Sequence, residues 1–382
     1  MVRIWTLFAS ALALWSAGLP TSAAPDHRPG LTVDAAGTLR RDGKPYRGIG
    51  VNYFDAFART LADPRDTSYD AGFQTLEEAD IPFCRIMAGS YWPKEQRLYS
   101  NDKETFFRRF DAVVRSAEKH KIGLILSCFW YLATVPDTVG EPMTAWGDPK
   151  SKTQAYMRQY IKDLVLRYRD SPAIWGWEFG NEYCLAADLP NASEQRPAVV
   201  PSLGTPAVRT QQDEITYAAI HAAYSAFARE IRKYDRHRII ETGDSMPRES
   251  AWHNWKEKKW TPDLPEQQAA ILDQTNPNPI DVVSVHFYKE TAAQLRAIAE
   301  FARRRKKPLF VGEFGAEGVG EESEKRFHEI LQVIRDAEIP LSALWVFDYS
   351  GQDSNWNVTS RNGRSYQLKA ISEANRQIQA GR

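Results

Sequence analysis

Residues 174–182 read IWGWEFGNE: a short aromatic and apolar run that closes on Asn181 and Glu182. Runs of this kind recur along the chain, as YRGIGVNYF (46–54), PFCRIMAG (82–89), IGLILSCFW (122–130), RIIETGD (238–244), DVVSVHFY (281–288), LFVGEFG (309–315) and LSALWVFDY (341–349). Between them lie stretches with apolar residues at three- and four-residue spacings, at 102–120, 152–169, 212–234, 290–306, 321–337 and 364–378, and a shorter candidate at 70–80. Short buried strands alternating with amphipathic helices are the pattern of parallel βα units. Eight such units favour a single closed (β/α)8 TIM barrel over an open doubly wound sheet, and no Gly-rich phosphate turn follows any strand. Long connections follow the third, fourth, fifth and eighth runs (131–151, 183–211, 245–263 and 350–363), whereas 306–308 and 338–340 are short. Active sites of such barrels are built at the strand C-termini and on the loops that follow, so residues that end each run have priority.

The flanking sequence and the composition bound what such a barrel can meet. Residues 1–24 place Arg3 before an apolar run from Ile4 to Leu19 and then small residues, the layout of a secretory signal peptide. A cleaved leader and a secreted or periplasmic domain over 25–382 are expected, with no membrane span afterwards. The chain carries 49 basic and 49 acidic residues among 382, so no net field draws in nucleic acid or an anionic surface, and a neutral ligand is the natural partner. Twelve Trp fit that reading, because an indole face can stack on the C–H face of a sugar, although packing in a large core is their commoner use. Cys84, Cys128 and Cys184 have no close spacing, and buried free thiols are expected, with a Cys128–Cys184 bridge as the alternative. The seven His are scattered without a His-x-His pair, so no metal and no cofactor is expected.

Two runs carry a glutamate near their C-terminal end, Glu182 in the fourth and Glu313 in the seventh, and a barrel lets these face each other across its mouth. Glycosidic cleavage with retention needs one carboxylic acid and one carboxylate held roughly 5–5.5 Å apart, whereas inversion needs a gap of roughly 6.5–9.5 Å for a water. The neighbours of this pair resemble glycoside hydrolase family 5 and its wider clan A. Asn181-Glu182 stands where that clan has its acid/base, and Glu313 where it has its nucleophile. Arg85, His286 with Tyr288, and Trp345 stand where family 5 has an Arg on strand 2, a His-x-Tyr on strand 6 and a Trp on strand 8.

The resemblance implies a retaining enzyme on β-linked polysaccharide or oligosaccharide, of β-1,4-mannan or β-1,4-glucan type, needing no cofactor and working as a monomer. Arg85 would keep Glu313 ionised, with Glu178 as a second partner inside the barrel. Asn181 would donate to the sugar 2-hydroxyl, Tyr288 would orient Glu313, His286 would bind substrate or position Glu182, and Trp345 would floor the subsite of the ring being cleaved. Asn52 and Tyr53, ending the first run, are expected to add hydroxyl contacts. Tyr91, Trp92, Trp130, Tyr131, Trp146, Trp252, Trp255, Trp260 and Trp356 are expected to line an extended cleft. The chain departs from the family where Tyr183 follows Asn181-Glu182 in place of Pro, and where Ser127-Cys128-Phe129-Trp130 replaces a strand 3 His, whose contact is then missing or supplied by Trp130, Tyr131 or another group. Exo action, transglycosylation and a non-catalytic sugar-binding barrel are the rival readings.

Overall fold

The computed structural model describes residues 29–380, so the expected leader lies outside the described residues. Each of the eight runs contains a strand: β1 (Gly48–Asn52), β2 (Phe83–Met87), β3 (Gly123–Phe129), β4 (Ile174–Gly180), β5 (Ile239–Glu241), β6 (Val283–Phe287), β7 (Leu309–Phe314) and β8 (Leu341–Leu344). They pair in parallel in the order β5-β4-β3-β2-β1-β8-β7-β6. The seam between β5 and β6 is bridged by Asp281, whose N–H donates to the Ile240 carbonyl at 2.9 Å and whose Oδ2 accepts the Ile240 N–H at 2.8 Å. The sheet is thus a nearly closed barrel, and every residue of its eight strands is buried, as strands covered on both faces must be.

Eight helices cover the outside: α1 (Ser68–Glu78), α2 (Lys103–Lys119), α3 (Lys152–Tyr168), α4 (Tyr217–Arg232), α5 (Pro265–Thr275), α6 (Ala292–Arg304), α7 (Glu321–Asp336) and α8 (Tyr366–Ala380). In α2, Asp102 caps the start by accepting the Thr105 N–H at 2.9 Å, and Phe106, Phe107, Phe110, Val113, Val114 and Ala117 form the buried stripe. Each such aromatic or aliphatic side chain contributes about 1.5–3 kcal/mol by leaving water. The helix stops at His120, after which Lys121 takes a left-handed turn (φ +57°) into β3. The connection after β5 holds Ala251–Glu257 and then α5, which the sequence reading did not anticipate. Only Ile271, Leu272 and Thr275 of α5 are buried, too narrow a stripe to stand out.

The barrel interior changes character from bottom to top. At the N-terminal end Phe83, Ile125, Trp175, Ile239, Val282, Phe310, Leu341 and Ala343 form an apolar layer. A small antiparallel sheet of Leu31–Val33, Leu39–Arg41 and Lys44–Pro45, also unanticipated, closes that end by packing Leu31 and Leu39 against the layer. Arg41 lies 4.0 Å from the Trp175 ring centroid. Higher up, buried residues turn polar, with Asn52, Arg85, Ser127, Glu178, Glu241, Ser284 and His286 all at most 1% exposed. All three cysteines are buried and free, so the Cys128–Cys184 bridge is not formed. Among the described residues no helix is long and apolar enough to cross a membrane.

Candidate active site

Arg85 on β2 is the hub of the polar interior. It is fully buried, and its guanidinium donates to Glu178 Oε2 (2.6 Å), Glu313 Oε1 (2.9 Å), Asn181 Oδ1 (2.9 Å), Asn52 Oδ1 (3.2 Å) and the Gly180 carbonyl (3.2 Å). Burial works against its charge, but Glu178, Glu313 and Glu241 outweigh burial and hold the group ionised. Trp130, just past β3, lies over it at 4.3 Å in a cation–π contact. The expected contacts to Glu313 and Glu178 therefore coexist on one side chain.

Glu182 follows β4 in a left-handed conformation (φ +55°), which costs a non-glycine residue about 1–2 kcal/mol. The turn is held on several sides. The Glu182 N–H donates to the Gly243 carbonyl at 3.0 Å, the Tyr183 hydroxyl to the Phe129 carbonyl at 2.7 Å, and the Cys184 N–H to Asp244 Oδ1 at 2.9 Å. Tyr224 donates to the other oxygen of Asp244, whose carboxyl is pushed up to about 6 by burial against these bonds. Tyr183, where the family has Pro, is thus a strut that fixes the Glu182 loop to β3.

Across the mouth, Glu313 on β7 receives Arg85 on one oxygen and the Tyr288 hydroxyl on the other, at 2.7 Å. His286 stands between the two glutamates, its Nδ1 at 2.8 Å from Glu182 Oε1 and 3.4 Å from Glu313 Oε2. One oxygen of each carboxylate and a His286 nitrogen all lie within 4.8 Å of one another. Among the described residues this is the one group of three carboxylate, imidazole or thiol donors that close, a proximity scattered His residues did not reveal. A cation there would compete with Arg85, which already neutralises Glu313, and with the Tyr288 proton on its other oxygen.

The three groups titrate together. Burial raises Glu182, but the His286 bond and charge, with Arg85 and Ser245, outweigh it and hold Glu182 below the usual range. Burial and the Glu182 charge push Glu313 up, against His286, Arg85 and Tyr288. Burial lowers His286, yet the two carboxylates prevail and raise it. The two carboxylates on either side of His286 therefore draw it towards its charged form.

Asn181 spends its amide oxygen on Arg85, which leaves its NH2 group for a ligand. Trp345, half-buried, stacks on Phe54 (5.1 Å) and Trp130 (6.1 Å), and its indole N–H donates to Gln352 at 2.9 Å. Tyr91 stacks on Tyr131 at 4.4 Å, and Trp356 meets Tyr288 edge-on at 5.3 Å. Three expectations are corrected. Asn52 is fully buried and gives its NH2 to the Gly312 and Leu344 carbonyls and its oxygen to Arg85, so it braces the barrel and has nothing left for a sugar hydroxyl. Tyr53 is fully buried, with its hydroxyl on Asp348 and the Ser68 carbonyl. Trp146 is core, packed on Phe129, Phe179 and Tyr183. Gln352, Asp244 and Glu241 escaped the sequence reading. A charge at the end of the short buried strand within the run RIIETGD was the available signal for Glu241.

Fold and site together define a (β/α)8 barrel with a paired-carboxylate site at the C-terminal ends of its strands. The sequence profile of the cellulase family, glycosyl hydrolase family 5, matches residues 41–351, and the chain belongs to that family. Among curated proteins, it is 34% identical over 139 residues to a probable mannan endo-1,4-β-mannosidase F of Aspergillus flavus, covering 31% of this chain and 30% of that protein. It is 31% identical over 193 residues to a probable mannan endo-1,4-β-mannosidase A of the same fungus, covering 44% and 47%. The match thus spans less than half the length of either relative. The endo-1,4-β-mannanase of Rhizomucor miehei has the same fold, with a TM-score of 0.66 at 15% identity over 92% of this chain and 100% of that one.

Proposed function

We propose that this chain is a retaining β-glycosidase on β-1,4-linked polysaccharide, β-mannan ahead of β-glucan, with Glu182 as acid/base and Glu313 as nucleophile. The observation that carries the reading is the facing pair itself, with one oxygen of each carboxylate within 4.8 Å of the other, an approach that suits the close spacing of a retaining pair. The preference for mannan rests on the mannan endo-1,4-β-mannosidases among the chain's relatives.

Each step has a group at hand. An imidazolium at His286 passes its Nδ1 proton across the 2.8 Å bond to Glu182 and is left neutral, which places a carboxylic acid beneath the leaving oxygen, while Glu313 stays a carboxylate held by Arg85 and Tyr288. Glu182 protonates that oxygen, and Glu313 attacks the anomeric carbon to form a glycosyl ester. Glu182, now ionised, takes a proton from the incoming water, which releases the sugar with its β configuration restored. The Asn181 NH2 donates to the 2-hydroxyl, a bond that strengthens as the ring gains oxocarbenium character. Trp345 supplies the apolar floor.

The layout of residues 1–24 supports secretion, and N-terminal sequencing of the exported protein tests it, with a start near residue 25 expected. For the chemistry, turnover of β-mannan, cello-oligosaccharides, xylan and aryl β-glycosides is measured with the anomer of the first product followed by NMR. Glu313→Gln is expected to abolish hydrolysis, and Glu182→Gln to lower turnover of β-mannan by about 10²–10⁴-fold, less on activated aryl substrates. An α-anomer as first product, or near-normal turnover by Glu313→Gln, sinks the proposal. Product length separates endo from exo action.

A further inference from the structure

Beneath the mouth the barrel holds a second pair of acids that the reaction above does not use. Glu178 on β4 and Glu241 on β5 are register partners across the parallel ladder, and both are wholly buried. Glu178 Oε2 accepts from Arg85 at 2.6 Å, and Glu241 Oε2 accepts from Ser284 at 3.0 Å. Each keeps its Oε1 buried with no donor, and the register pairing sets the two carboxyl groups side by side on neighbouring strands. The groups facing Glu241 are Glu178 on β4, Ser284 on β6 and Arg85 reaching across from β2, with Glu313 beyond Arg85. Asp281, at the start of β6, is turned to Arg232 and the Ile240 N–H. Arg85 is already shared between Glu178 and Glu313, and His286 faces Glu313 on its far side, turned away from the lower pair.

We propose that Glu241 is a neutral carboxylic acid whose proton lies between its Oε1 and Oε1 of Glu178, and that this dyad sets how much of the Arg85 charge reaches Glu313. A single proton satisfies both orphaned oxygens, and it removes a third negative charge from a site where carboxylates already outnumber cations. Burial and the Glu178 charge push Glu241 well above the usual carboxylate range, against Arg85 and Ser284. Glu241 is a positioning residue: it touches no substrate and acts through Glu178 and Arg85. By donating to Glu178 it weakens that carboxylate's pull on the guanidinium, so Arg85 holds Glu313 more firmly. The functional part of the inference rests on the glycosidase reading; the location of the proton does not.

The test has one arm for each part. In the infrared spectrum at neutral pH, wild-type protein is expected to show the C=O stretch of a protonated, buried carboxyl, lost in Glu241→Gln and kept in Glu182→Gln. The linkage has a definite sign. The folded pKa of Glu241 lies above its unfolded value, so holding it protonated costs stability that grows as pH rises from the unfolded pKa towards the folded one. Glu241→Gln, whose amide donates to Glu178 and accepts from Ser284, therefore melts higher than wild type at neutral pH, and the gain vanishes below the ordinary carboxylate range. Its kcat/KM stays within about two-fold of wild type with an unmoved acidic limb, whereas Glu241→Leu, which leaves Glu178 Oε1 without a donor and so strengthens that carboxylate's pull on Arg85, moves that limb to higher pH. Absence of the infrared band in wild type overturns the proton assignment whatever the activity. A Glu241→Gln acidic limb displaced to lower pH, as loss of a real negative charge requires, overturns it too. An unmoved limb in Glu241→Leu overturns the link to Glu313 alone.

Discussion

At the scale of single residues, what distinguishes Glu313 from any buried acid is that both its oxygens are claimed by donors from other strands, Arg85 on β2 and Tyr288 just past β6. The two bonds do different work. Arg85 supplies charge, and Tyr288 fixes the carboxylate plane without adding charge. Tyr288→Phe removes one hydrogen bond to an ionised group, worth about 1.5–3 kcal/mol, so kcat/KM is expected to fall about 10- to 100-fold. The same bond holds Glu313 down against burial, so its loss raises the carboxyl further. With Glu313 as the proposed nucleophile, turnover requires it ionised, and the acidic limb of the kcat/KM profile is then expected to move to higher pH. A drop in rate with an unmoved limb would mean that Tyr288 contacts the sugar alone. His286 belongs to the same argument, since it faces both glutamates through one nitrogen while its Nε2 is buried without a partner.

At the scale of elements, the enlarged connections are tied down by specific ion pairs as well as by packing. Arg209, near the end of the long segment after β4, grips Asp137 with two bonds of 2.6 and 2.7 Å, and the two side chains are 4% and 1% exposed. Asp137 sits in the helix Thr134–Val139 after β3, so one pair clamps two neighbouring loops beside the mouth. Arg209→Met leaves a buried carboxyl without its cation, at about 3–5 kcal/mol. Burial already pushes Asp137 up against the pull of Arg209, and the carboxyl is expected to take a proton once that pull is gone. The damage is local, because the clamp lies outside the barrel: limited proteolysis should cut within 190–210 in the variant, and a loop as resistant as wild type counts against the clamp. These elements also show what could be read in advance. The helices with broad apolar stripes, such as α2 and α7, fall within one to two residues of the spans expected from spacing. By contrast the helix Pro93–Asn101, PKEQRLYSN, buries only Pro93, Gln96 and Tyr99, and Tyr99 packs on Phe106 and Phe107 of α2 and on Tyr156 and Tyr160 of α3, contacts that no local pattern records. The strand-end candidates were named from the polarity of the barrel and from the resemblance to glycoside hydrolase family 5, because strands buried on both faces carry no alternation that would single them out. Whether an inward Asn at such an end faces a ligand or the barrel depends on register between strands, and there Asn52 went astray.

For the whole molecule, the barrel divides its labour along its axis. The polar hub and the paired carboxylates occupy the C-terminal half, where burial of charge costs stability, and the apolar layer at the other end offsets that cost. The small N-terminal sheet belongs to this second role. It meets the barrel through Leu31 and Leu39, 0% and 2% exposed, on Phe83, Trp175, Phe310 and their neighbours, and Arg41 covers Trp175 from outside. Gly30 makes the close approach possible: it adopts φ +88°, and a Cβ there would meet the Ile174 carbonyl oxygen at 2.8 Å. Leu31→Ala opens a cavity under the plug, and unfolding in urea is expected to lose about 2–5 kcal/mol. The paired carboxylates stand at the opposite end, so kcat and both limbs of the pH profile should match wild type at temperatures where the variant is folded. A variant that keeps its stability would show that the sheet merely lies on a barrel already closed by its own side chains. One that loses kcat in proportion to stability would show that the two ends of the barrel are coupled through the Phe83–Arg85 and Trp175–Glu178 strands.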